Sequence, residues 1–193
     1  SNLGLKTLYD LCNVDSQPTT FDLGFKLGPR INAGGRVGKS SHGAHLLISD
    51  DPQETYKIAK DLDHSNRERQ SIEFLLTEKI NLELKKYHNH PVLVLAGNDW
   101  HEGIIGIVAS RVKEKYNKPV VLISLNKDLG KGSARSIVGF DIGSNIIKAV
   151  QSKILKKGGG HKMAGGFVIK KDKIPHFRDF LINNFLKLNY DHS

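Results

Sequence analysis

Pro91-Val92-Leu93-Val94-Leu95-Ala96, closed by Gly97-Asn98, is the segment on which the fold turns. Its unbroken apolar run reads as a strand buried on both faces. A helical pattern from about Trp100 to Tyr116 follows, with Ile104, Ile107, Val108, Val112 and Tyr116 on one stripe. Asp99 with Glu102 reads as its capping pair, and Gly103 and Gly106 let its first turns lie close to a neighbour. Pro119 to Leu125 is a second strand. Gly132-Ser133-Ala134-Arg135-Ser136-Ile137 is a third, on which Ser133 and Arg135 share a face. Asp141 caps a helix with Ile142, Ile146, Ala149 and Val150 inward. Gly166 to Ile169 is a further strand, and Ile174 to Leu188 a last helix carrying Phe177, Phe180, Leu181 and Phe185. The order β-α-β-β-α-β-α specifies an α/β domain with a mixed sheet flanked by helices.

Between the helix capped by Asp141 and the strand from Gly166 lies Lys156-Lys157-Gly158-Gly159-Gly160-His161-Lys162-Met163-Ala164-Gly165-Gly166. Successive glycines let a bulky partner approach the backbone, and their N–H groups can line a concave anion nest beside the lysines. The competing reading is a plain Gly-rich turn between helix and strand.

Upstream of the first strand, Pro52 to about His88 contains no glycine and no internal proline. Asp50 or Asp51 caps this helix and Pro52 sits in its first turn. At 1.5 Å per residue it spans about 55 Å. Its second half carries an apolar face of Ile72, Leu75, Leu76, Ile80, Leu84 and Tyr87, whereas Asp61 to Ser71 is polar apart from Leu62. A helix polar all round bridges domains through solvent, so a rigid inter-domain strut is expected. Asp61 and Asp63 point about 200° apart on it and cannot share one ion.

Before the strut, residues 3–13 form a short helix with Leu5, Leu8, Leu11 and Cys12 on one side, and Asp15 to Thr20 a polar loop. Leu23 to Gly38 holds Arg30 and Arg36 among five glycines; either a phosphate-facing loop or a structured connection with solvated arginines fits. A short helix from Ser40 to Leu47 bears His42 and His45, without a third metal ligand nearby. Ser1-Asn2 resembles a cloning remnant.

The 193 residues carry a formal net charge of +9, which favours a polyanionic partner, nucleic acid first. A single cysteine excludes an internal disulfide framework and fits a reducing cytoplasm. No apolar run is long enough to cross a membrane.

Four stretches, taken in order, carry a resemblance over residues 22–185: Gly28-Pro29-Arg30-Ile31-Asn32-Ala33-Gly34-Gly35-Arg36, Trp100 to Arg111, Gly132-Ser133-Ala134-Arg135-Ser136, and Gly159-Gly160-His161 to Gly166. Together they resemble the RecJ-type single-strand-specific DNA exonucleases of the DHH phosphoesterase superfamily, and the polar strut from Asn66 to Glu73 looks like that family's linker helix. Ala33-Gly34-Gly35 and Ala164-Gly165-Gly166 stand where the family commonly has Ala-Ala-Gly, and the charged groups are kept. The resemblance implies that residues 1–50 are the C-terminal end of a DHH catalytic domain, 51–89 a linker helix and 90–193 the DHH-associated substrate-binding domain. It implies single-stranded DNA as partner, 5′ to 3′ hydrolysis in repair and recombination, and Mn2+ or Mg2+ in the full-length enzyme. The nucleic-acid-binding residues it implies are Arg30, Asn32, Arg36, Ser133, Arg135, Ser136, Gly158, Gly159, Gly160, His161 and Lys162. His161 is also placed for a contact to phosphate or to transition-state charge.

Two-metal phosphodiester hydrolysis needs several carboxylates and histidines converging on ions about 3.5–4 Å apart. No such set is evident in this sequence, and by the resemblance the ligands precede residue 1. No metal is therefore expected on this chain, which should be inactive without the missing DHH domain. Two other functions remain in view. One is a DHH-family phosphodiesterase acting on oligoribonucleotides or cyclic dinucleotides, against which the long strut counts. The other is a non-catalytic single-strand-binding module, which normally needs aromatic stacking platforms; aromatics are 7% here.

Overall fold

The computed structural model describes residues 2–14, 17–37, 41–87 and 89–190, with side chains described to 188. The expected element ends at Gly38, Ser40 and His88, the loop start at Asp15, and Ser1 lie outside the described residues. The chain divides into two compact units, Ser1–Ile72 and Glu73–Ser193, and the division falls inside one long helix.

In the first unit, α1 (Leu3–Leu11) starts at Asn2, whose side chain accepts from the Leu5 N–H. A π-helical turn, Asp22–Leu27, runs directly into α2 (Gly28–Val37). The Gly-rich segment read as a loop is therefore helical over its described residues, Leu23 to Val37. The wide turn accounts for this: the Gly28 N–H reaches back to the Leu23 carbonyl. That leaves room for Pro29, which has no N–H to give and would clash in a regular α-turn. Asp22 salt-bridges Lys26 at 2.8 Å and accepts from the Thr19 N–H at 3.0 Å and hydroxyl at 2.7 Å. The Lys26 ammonium first, and these Thr19 donors second, hold its carboxyl far below the usual carboxylate range. After α3 (His42–Ile48), the long helix α4 (Pro52–Leu84) begins. Leu8, Leu27, Leu46, Ile58, Ala59 and Leu62 form one core.

Within α4 the polar middle is solvated on one side only, with His64, Arg67, Glu68, Gln70 and Ser71 exposed. Ser65, Asn66 and Arg69 are buried, and Arg69 donates to the Asn66 side-chain oxygen at 3.0 and 3.2 Å. Asp63 is shared by Arg30 and Arg67, each at 2.8 Å. A polar stretch can be buried when its groups pair with one another, and hydropathy does not register that pairing. Leu76, Ile80 and Leu84 are buried as read, whereas Leu75 is exposed beside Phe74 and Leu82.

The second unit is a five-stranded mixed sheet in the order β1-β2-β3-β5-β4. β1 (Leu93–Asn98) and β2 (Val120–Asn126) are parallel and linked by α5 (Glu102–Tyr116); β3 (Leu129–Arg135), β5 (Ala164–Lys170) and β4 (Lys157–His161) continue antiparallel. α6 (Ile142–Gln151) and α7 (Ile174–Tyr190) cover one face of the sheet. Val94, Val121, Ile123, Ala134, Phe140, Ile146, Phe167, Phe177 and Leu181 fill the core beneath them. α5 lies against β2 and β3 on the other side, with Ile104, Val108 and Val112 buried. Its N-cap is His101, whose Nδ1 accepts from the Gly103 N–H at 3.2 Å; Asp99, expected in that role, has instead turned to φ 60°. Arg111 on α5 salt-bridges the buried Glu73 of α4 at 2.5 Å.

The sequence order expected one strand fewer. The glycine run is β4, an outer strand that pairs Gly159 with Gly166, Gly160 with Gly165 and His161 with Ala164. Its glycines serve close approach. A Cβ on Gly158 would meet Ile146 at 2.8 Å, one on Gly160 the Ala164 carbonyl at 2.3 Å, and one on Gly143 of α6 the His161 carbonyl at 2.8 Å. At Gly143 the helix backbone meets the hairpin backbone directly, while the Ile146 side chain lies against Gly158 and Gly165.

Candidate nucleic-acid interface

Side chains alternate across a strand, so the register sorts the second unit's polar residues. Lys131, Ser133 and Arg135 of β3 oppose Val168, Gly166 and Ala164 of β5, which oppose Lys157, Gly159 and His161 of β4. All nine lie on the face that α5 covers only in part. Beyond α5 the sheet is open. A Cβ added to Gly166 would find only the Gly132 carbonyl oxygen within 4 Å, at 3.7 Å, and one added to Gly159 would find nothing. The result is a groove of about 610 Å³ lined by Glu102, Ile105, Lys131, Ser133, Lys157 and Gly166, among others. Glycine makes its floor and cations stand along its sides.

Arg135 is positioned rather than loose. Its Nε donates to Ser110 Oγ at 3.2 Å, and Nη1 donates to Ser133 Oγ at 3.0 Å and to the Ala134 carbonyl at 2.8 Å. Gly106 of α5 makes the space: a Cβ there would sit 2.8 Å from Arg135 Nη2 and 3.0 Å from Ser133 Oγ. The neighbour expected for the glycines of α5 is, at Gly106, this guanidinium, half-buried between helix and sheet. Pre-set orientation suits a group that grips phosphate, because little rotamer freedom is left to lose.

His161 is exposed, and its Nδ1 accepts from the Met163 N–H at 3.3 Å. With Nδ1 accepting, a neutral ring carries its proton on Nε2, which makes that nitrogen a donor. Lys162 is exposed at the hairpin turn. Two other expectations are corrected. Ser136 is 1% exposed and its hydroxyl donates to the Phe140 carbonyl at 2.6 Å, so it secures the following turn and offers nothing to a ligand. Gly158, Gly159 and Gly160 form no concave nest. In an extended edge strand, successive N–H groups alternate between the partner strand and the open edge, so three neighbours cannot converge on one anion. The N-terminus of α6 beside them is already occupied by Asp141, which accepts from the Ser144 N–H at 2.9 Å. That bond holds the Asp141 carboxyl below its ordinary range.

In the first unit the outcome differs. Arg30 donates from Nε to Asp63 at 2.8 Å and from Nη1 to the Lys26 carbonyl at 2.8 Å, which joins α2 to α4. Asn32 is exposed and Arg36 half-buried. His42 Nδ1 lies 4.0 Å from Asp61. Among the described residues there is no group of three or more His, Cys, Asp or Glu able to hold a metal ion. Asp63 is taken by two arginines, and these residues do not fit a two-metal centre. No metal-dependent step is therefore assigned to them. Sequence reasoning missed Lys131, gave Glu102 only a capping role and set Lys157 beside the glycine run without these partners; the three share the groove. Only the strand register brings them together, since each is an unremarkable surface charge in one dimension.

Fold and face define an α/β domain that presents a half-open basic sheet. The chain belongs to the DHHA1 domain family, whose model matches residues 89–187. Over 185 residues it is 34% identical to the single-stranded-DNA-specific exonuclease RecJ of Bacillus subtilis (strain 168), covering 94% of this chain and 23% of that protein. It is 37% identical over 188 residues to the RecJ of Haemophilus influenzae, covering 92% and 32%. The crystal structure of RecJ from Thermus thermophilus in complex with Mn2+ superposes with a TM-score of 0.86 at 29% identity, over 97% of this chain and 27% of that one. The same protein solved with Mg2+ gives a TM-score of 0.85, at 28% identity over 97% of this chain and 29% of that one. The chain thus spans about a quarter to a third of the length of the RecJ relatives it matches. No described helix is long and apolar enough to cross a membrane.

Proposed function

We propose that this chain is the substrate-holding part of a RecJ-type exonuclease. The whole enzyme acts on single-stranded DNA in the 5′ to 3′ direction, in the cytoplasm, during repair and recombination. The observation that carries this reading is the open sheet face on which Ser133, Arg135 and His161 are set around a glycine floor. A floor without side chains lets a sugar–phosphate backbone lie against the sheet. Arg135 neutralises one phosphate there, and the His161 Nε2 proton is donated to an adjacent oxygen. Since phosphate contacts set position and not sequence, such a face holds any single strand. The similarity to RecJ proteins over more than nine-tenths of the chain supports the same substrate.

In the whole enzyme the Mn2+ or Mg2+ ions are held by a DHH domain outside these 193 residues, and they supply the activated water and the charge neutralisation that hydrolysis needs. The present chain binds DNA without cutting it. Titration of single-stranded DNA against the chain and its Arg135→Ala and His161→Ala variants tests this. Arg135→Ala is expected to weaken binding about tenfold and to lower the salt slope by about 0.7, the value for one phosphate of a single strand. Unchanged binding in both variants, or manganese-dependent digestion by the purified chain, contradicts the proposal.

A further inference from the structure

The sheet face carries a second pair of cations beyond Arg135 and His161. Arg135 and His161 occupy one row of the register, Ser133 the next, and Lys131 and Lys157 a third, flanking Val168 from both sides. Four residues of strand separate the first row from the third, or about 13 Å. At the roughly 3.4 Å per phosphate of a stacked strand that is about four nucleotides. A second cavity of about 540 Å³ shares Glu102, Lys131 and Val168 with the first and carries the groove on toward Lys127 at the β2–β3 turn.

Glu102 is the anomaly. It places a carboxylate in a groove whose other charged lining residues are Lys131 and Lys157, 2.6 Å from Lys131. The Lys131 and Glu102 side chains are substantially exposed, at 63% and 46%. An exposed pair of this kind contributes little and exchanges readily. Lys157 has no ion-pair partner among the described residues. The two lysines thus differ: one stands ready, and the other is masked by a carboxylate that a stronger anion can displace.

We propose that Lys131 and Lys157 form a second phosphate-holding subsite, about 13 Å along the sheet from Arg135 and His161, and that Glu102 competes with the phosphate for Lys131. The ligand is a single-stranded polynucleotide backbone, so the inference rests on the function proposed above. It adds a minimum length to that function. A strand must span about four further nucleotides to displace Glu102, so short products are released while longer substrates stay bound. Glu102 lowers the affinity for every strand that reaches it.

A ladder of 5′-labelled oligothymidylates titrated against the chain and four variants tests this. The variants are the double change Lys131→Ala with Lys157→Ala, the conservative change Lys131→Arg with Lys157→Arg, Glu102→Gln, and Arg135→Ala. Thermal melts check that each variant folds. With the native chain, affinity should keep rising for about four nucleotides past the length at which the double alanine variant levels off, and that variant should lose about 1.4 from the salt slope, two contacts at about 0.7 each. The double arginine variant should restore both. Glu102→Gln should tighten long strands about fourfold at low salt, as expected for removing one charge about 5 Å from a phosphate in water, and the gain should fade as salt rises. If the double alanine variant follows the native curve at every length while Arg135→Ala weakens all lengths, the second subsite is wrong and the proposed function stands. If neither changes binding, the proposed function fails with it. An unaltered Glu102→Gln overturns the competition.

Discussion

Two glycine-rich stretches with basic residues look alike in one dimension and end differently. Leu23–Val37 becomes a helix, and Arg30 is spent on Asp63 and the Lys26 carbonyl. Lys157–Gly166 becomes an edge hairpin whose glycines leave a bare floor, with Lys157 and His161 exposed beside it. Composition therefore does not make an anion site. What decides is whether a partner inside the fold has already claimed the cation. In the first unit an aspartate on α4 does so. In the second, oxygens of Ser110, Ser133 and Ala134 orient the Arg135 guanidinium between helix and sheet, and Lys157 stands exposed on the same face.

The sharpest way to break this contrast is Gly160→Ala. Its Cβ would lie 2.3 Å from the Ala164 carbonyl, so the hairpin must open, at a cost of about 2–3 kcal/mol in denaturant unfolding. An unaffected midpoint would mean that the two strands of the hairpin are not in such close contact. A smaller effect is expected from Asp63→Ala, which strips the partner from Arg30 and Arg67 together. A loss of about 1–2 kcal/mol suits charged hydrogen bonds at this partial exposure, with DNA affinity of the chain unchanged. A fall in affinity instead would move Arg30 from structure to ligand binding. Smallest is Gly159→Ala, whose Cβ would enter open space. Stability should hold within about 0.5 kcal/mol, while the methyl group, standing on the groove floor, weakens binding a few-fold.

Much of the second unit was legible because its strands are short, apolar and punctuated by Gly, Pro and Asp. The β1–α5–β2 succession, the Asp141 cap and the face shared by Ser133 and Arg135 all follow from period and capping. β4 was not legible, because glycine has no strand preference and its strand is fixed by pairing with β5 and contact with α6. The His101 cap was hidden by an Asp99 that fits the usual capping pattern better. Burial of Asn66 and Arg69 in α4 was hidden because their pairing depends on three-dimensional neighbours. The groove's lysines needed the register of three strands, which no local pattern encodes.

The most direct test of the central claim is amide chemical-shift mapping of the chain with an oligothymidylate. Shifts concentrated at residues 131–135 and 157–166, with residues 23–37 and the α6–α7 face quiet, are the result predicted here. Shifts confined to the helix around Arg30, or to the sheet face beneath α6, would contradict it.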